Sequence, residues 1–137
     1  MHIPVLGYRL RLLSITYGLM LLVWLSTEDN STLTVALLGT GLAILSVLLW
    51  LLQHYGGQVF SGRILTVGAI FIGAITGAGA VLATVLLMFL KTAWHSHIFP
   101  DYPAQMMLDM LTRLPVWALA GGLLGLSGLI LLRQAEL

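Results

Sequence analysis

Cysteine is absent from this 137-residue chain. Its absence excludes disulfides, cysteine-ligated iron–sulfur clusters and thiol catalysis, and is silent about redox compartment. Charge is scarce as well: 8% of residues are charged and 59% are hydrophobic, against roughly 25% charged in a soluble domain. Too few polar side chains exist to cover a surface facing water, so the principal solvent is lipid. A net charge of +1 supplies no clustered basic footprint for nucleic acid.

The long apolar runs lack Asp, Glu, Lys, Arg and His in their middles, and proline in their interiors. Ionisable groups inside a membrane mark proton relays and ion paths. Their absence argues against a proton-coupled pump and against the paired histidines of a membrane haem. Nor is there a Gly/Pro-broken helix pair of the transporter kind. The loop "HYGGQVFSGR" is no phosphate-binding loop, since GxxxxGK[ST] is missing. No serine or histidine constellation suggests hydrolysis, so the chain is read as not an enzyme, with no cofactor expected.

What is present is four apolar runs. They are Leu12 to Ser26 (extended at its start by "LGYRLR"), the 20 residues Leu33 to Leu52, the 27 residues Ile64 to Leu90 and the 19 residues Leu114 to Leu132. About 20 apolar residues in a helix cross the ~30 Å hydrocarbon core, and barrel strands need only ~10 alternating residues. The sequence therefore predicts an all-α integral membrane protein. It is an antiparallel bundle of four transmembrane helices in a single membrane domain, with helices near 6–26, 33–54, 63–93 and 115–133. The third is long enough to tilt or project beyond the bilayer. The first reads as a retained helix and not a signal peptide, because "WLSTEDN" offers no small-x-small cleavage site.

Trp24, Trp50, Trp94 and Trp117 fall one near an end of each predicted helix, as expected of aromatic rings at the headgroup level. Arg9, Arg11, Arg63 and Arg133 share one face after four crossings. Lys91 and Arg113 lie on the other, with Glu28, Asp29, Asp101 and Asp109. The excess of basic residues puts both termini on the cytoplasmic, matrix or stromal side of a cytoplasmic or organellar inner membrane. The "NST" at Asn30 is read as a chance match to the glycosylation sequon.

Small residues recur at helical spacing, notably Gly73 and Gly77 in "GAITG" and Gly121 and Gly125 in "GGLLG". In lipid, helices associate where small residues let backbones approach. These faces pack the bundle internally, dock a neighbouring subunit, or do both.

Polar chemistry gathers only in "KTAWHSHIFPDYP". His95, His97 and Asp101 are candidate metal ligands, but a zinc site needs three or four, so Asp109, Glu28 or Asp29 would have to join. If the helix continues through His97, the two rings diverge by about 200°. Weighed against this are histidines that merely sit among headgroups, and a single histidine as axial ligand to a haem or chlorin. Asp101 reads first as a turn or cap residue. Lys91 is expected to snorkel to the interface. Pro100 and Pro103 stop the third helix. An amphipathic interfacial helix follows near 103–114, apolar at Met106, Met107, Met110, Leu111 and Leu114, with Asp109 and Arg113 placed to pair at i, i+4.

The leading functional expectation is a non-catalytic accessory, structural or assembly subunit of a larger membrane complex. Its partners would be the lipid bilayer and other membrane subunits, reached through glycine-rich faces. The alternatives are a small homo-oligomeric channel or transporter for a neutral solute, and a metal- or pigment-binding subunit using His95 and His97.

Overall fold

A computed structural model of the chain describes residues 7–95 and 98–135. Five helices, and no strand, form among the described residues: α1 (Tyr8–Leu25), α2 (Thr32–Tyr55), α3 (Gly62–His95), α4 (Ala104–Thr112) and α5 (Leu114–Ala135). Helices α1, α2, α3 and α5 are long and apolar enough to cross a membrane. The 34 residues of α3 rise roughly 50 Å at 1.5 Å each. This exceeds the ~30 Å of hydrocarbon.

The breaks between helices follow from local chemistry. Ser31 caps α2, its side chain accepting the Thr34 amide at 3.4 Å, so the "NST" stretch is helix-start chemistry. After α2 the chain reverses at Gly57, whose φ of +85° is a left-handed conformation open to glycine and costly for other residues. Pro100 and Pro103 lie between α3 and α4, and Pro115 occupies the first turn of α5, where its missing amide costs nothing. Hydroxyls along the spans, including Thr40, Thr76, Thr84 and Ser127, donate to carbonyls four residues back. They are satisfied within their own helices.

Helix α3 is central and packs most extensively on α5 and then on α2. Glycine permits the closeness. A Cβ at Gly73 would fall on the carbonyl oxygen of Gly121, and one at Gly77 on that of Trp117. A Cβ at Gly125 would meet the carbonyl of Ala69, and one at Gly39 would meet Thr84. Helix α1 joins chiefly through its second half, where Leu21, Trp24 and Leu25 are buried with Val35, Leu87, Met88 and Tyr102. Higher up, the Tyr17 hydroxyl donates to the Leu38 carbonyl at 2.5 Å.

Candidate functional site

The principal polar assembly sits where the C-terminal ends of α1 and α3 meet the start of α2. Lys91, in the last turns of α3, is 0% exposed. Its Nζ donates to the Trp24 carbonyl at 3.0 Å and to Thr27 Oγ1 at 3.4 Å, and lies 4.0 Å from the centroid of the Trp24 ring. A helix C-terminus presents carbonyls with no intrahelical donor and carries about half a negative charge. Lys91 therefore acts as a cap on α1 delivered from another helix. This corrects the expectation that Lys91 snorkels outward. Trp24, 7% exposed, packs against Lys91, whereas Trp50 and Trp94 are exposed.

Acceptors continue the assembly outward. Trp24 Nε1 donates to Asp29 Oδ2 at 3.4 Å, and the Ser31 amide donates to Asp29 Oδ1 at 2.9 Å. That amide, with smaller contributions from Thr34, Trp24 and the Lys91 charge, holds Asp29 below the ordinary carboxylate range. Tyr102 is 1% exposed. Its hydroxyl donates to the Ser31 carbonyl at 3.3 Å, and its amide donates to Thr92 Oγ1 at 3.2 Å. Burial, reinforced by the charges of Asp29 and Asp101, pushes the phenol up to about 12. Asp101 Oδ2 meets His95 Nδ1 at 2.5 Å, tying the α3–α4 loop to the end of α3.

His95 and Asp101 are thus brought together, while His97 lies outside the described residues. Among the described residues no group of three or more His, Asp or Glu side chains could hold a metal ion. Asp109 accepts from Gln105 Nε2 at 3.0 Å. It makes no ion pair with Arg113 among the described residues, although the i, i+4 spacing would allow one. Sequence reasoning missed the Lys91–Trp24–Asp29–Tyr102 connection. The signal for it was a lone cation at the end of the third apolar run and an aromatic followed by acids at the end of the first.

Two apolar grooves open along the spans. One, of about 490 Å³, is lined by residues of α2, α3 and α5, small at Thr40, Gly73, Thr76, Gly77, Ala120 and Gly121 and large at Ile44, Val116, Trp117 and Leu124. The other, of about 690 Å³, runs from the Trp50–Tyr55–Phe60 aromatic group along α3 and α5 to Ile75 and Leu124. Gly68 and Gly128 line it, and a Cβ at either would meet nothing within 4 Å.

Compared with family models, curated proteins and solved structures, the chain matches none.

Proposed function

We propose that this chain is a non-catalytic integral membrane protein, an antiparallel four-helix bundle that serves as an accessory or assembly subunit of a larger membrane complex. The observation that carries the reading is the small-residue groove between α2, α3 and α5. On its floor Gly73, Gly77 and Gly121 hold α3 against α5; Thr40, Thr76 and Ala120 leave space beside them, small residues of the kind at which helices associate in lipid, and no helix among the described residues fills it. The polar groups at the far end support the same reading. Lys91, Asp29, Tyr102, Asp101 and Thr92 are all engaged in joining this chain's own segments, which is structural work.

In this proposal both termini face the cytoplasmic, matrix or stromal side, and α4 lies at the opposite surface. There the buried Met110 and half-buried Met106 and Met107 face inward, and the exposed Asp109 and Arg113 face water or headgroups. The subunit reading is tested by placing a photo-crosslinking residue at Ala120, in the groove, and at Leu119, an exposed neighbour on α5. Irradiation of native membranes should join Ala120 to one other membrane chain, with Leu119 giving lipid adducts. Adducts of the chain with itself at Ala120 would replace the subunit reading by a homo-oligomeric pore. Lipid adducts alone would overturn both.

A further inference from the structure

We infer that the larger groove, between α2, α3 and α5, binds one anionic phospholipid, with an acyl chain along the groove and the phosphate at Arg63 and Arg133. Three observations converge on this occupant.

The first is length. On α3 the groove extends from Ile64 to Ile75, a rise of roughly 16 Å at 1.5 Å per residue. That is about half of the ~30 Å hydrocarbon core, the depth of a single leaflet. A lipid tail matches that depth, and the groove meets the smaller one at Gly73, Leu124 and Gly125.

The second is what stands at the groove's open end. Trp50 and Tyr55 line it there, their rings 5.6 Å apart, and such aromatics prefer the headgroup level. At the same end of the helices, Arg133 follows the lining residue Leu132 in sequence and Arg63 precedes the lining residue Ile64. The Arg133 guanidinium is fixed in place. Its Nη2 donates to the Gly62 carbonyl at 2.6 Å and to Thr66 Oγ1 at 3.2 Å. A guanidinium carries five N–H donors, so Nε and Nη1 are left to serve a phosphate. Arg133 is thereby held over the first turn of α3, whose free amides and positive dipole end favour an anion too.

The third is charge complementarity over a distance. Four of the five acids, Glu28, Asp29, Asp101 and Asp109, lie in or beside the loops at the other end of the helices, and the fifth, Glu136, lies outside the described residues. Basic pockets between membrane helices are sites for anionic headgroups, and each arginine near such a surface strengthens the attraction. Open space at Gly68 and Gly128 leaves room for methylenes where a side chain would otherwise intrude.

Trp50 makes the site observable. Protein in mild detergent is titrated with phosphatidylglycerol or phosphatidylcholine carrying identical brominated chains. Trp50 quenching is taken as the difference between the wild-type chain and Trp50→Phe. Phosphatidylglycerol should reach half-quenching at a mole fraction on the order of tenfold lower than phosphatidylcholine. Arg63→Gln with Arg133→Gln should abolish that preference, and Gly68→Leu, which fills the groove, should weaken quenching by both lipids. Arg63→Gln alone keeps the Arg133–Gly62 tie and should lose part of the preference while the helix content by circular dichroism stays unchanged. Equal quenching by the two lipids in the wild type, or a preference that survives the double substitution, would overturn the proposal.

Discussion

Substituting alanine at individual glycines of α3 should change stability with opposite signs depending on position. At Gly77 the added Cβ lands on the backbone carbonyl of Trp117, and at Gly73 on that of Gly121. A backbone oxygen has no rotamer through which to yield, so α3 and α5 must separate along their main contact. Overpacking of this kind costs about 1–3 kcal/mol. Replacing glycine inside a helix returns roughly 0.5–1 kcal/mol. The clash exceeds the gain, and Gly77→Ala should be destabilised by about 1–2 kcal/mol net. At Gly68, where a Cβ meets nothing within 4 Å, only the gain remains, and Gly68→Ala should be stabilised by up to ~1 kcal/mol. Thermal unfolding in mild detergent, followed by circular dichroism at 222 nm (the helical band), would order the variants as Gly68→Ala, wild type, Gly77→Ala. Equal stability of the two variants would refute the close approach of α3 to α5.

Other perturbations test the polar assembly. Lys91→Ala removes a buried charge-assisted hydrogen bond, worth about 1.5–3 kcal/mol, and leaves a cavity; it should lower the unfolding temperature by more than Lys91→Met, which refills the space and relieves the cost of burying an ammonium. The raised Tyr102 phenol gives stability that is intact below its unfolded value of 10.0 and is lost as pH rises towards about 12. At ~1.4 kcal/mol per pH unit, unfolding titrations should show a loss of about 2–3 kcal/mol over that window, which Tyr102→Phe abolishes. Asp29 has the opposite sign: its lowered value contributes stability above its unfolded value of 3.8, lost as pH falls through the folded one, and Asp29→Asn should flatten the acid limb. Ser31→Ala deletes the α2 cap and should cost ~1 kcal/mol in the same assay.

The four spans were legible because their signal is collective: twenty apolar residues leave helix in lipid as the structure that satisfies every backbone group. The ends were less so. The third helix is expected near 63–93, and α3 runs Gly62–His95; the polar Lys91, Thr92 and His95 in its last turns blur the end of an apolar run. Lys91 was misplaced for a related reason. A lysine at a helix end ordinarily reaches outward to water, and only the arrival of the α1 C-terminus beside it, a tertiary event with no local signature, supplies carbonyl and ring to turn it inward. The burial of Trp24 against Lys91 follows from the same tertiary event. Asp109 and Arg113 satisfy the spacing rule, but Gln105 occupies the acid from the preceding turn. The glycines of α3 and α5 were visible as small-residue spacing; which of them face a backbone and which face a groove is a matter of helix rotation that spacing leaves open.

The proposal that this chain is a subunit of something larger is tested most directly by purifying it from its native membrane in mild detergent and identifying by mass spectrometry everything that co-migrates. Other membrane chains at a constant ratio to this one, lost when the groove is filled by Ala120→Leu, are the predicted result. A homogeneous species containing this chain alone would contradict it.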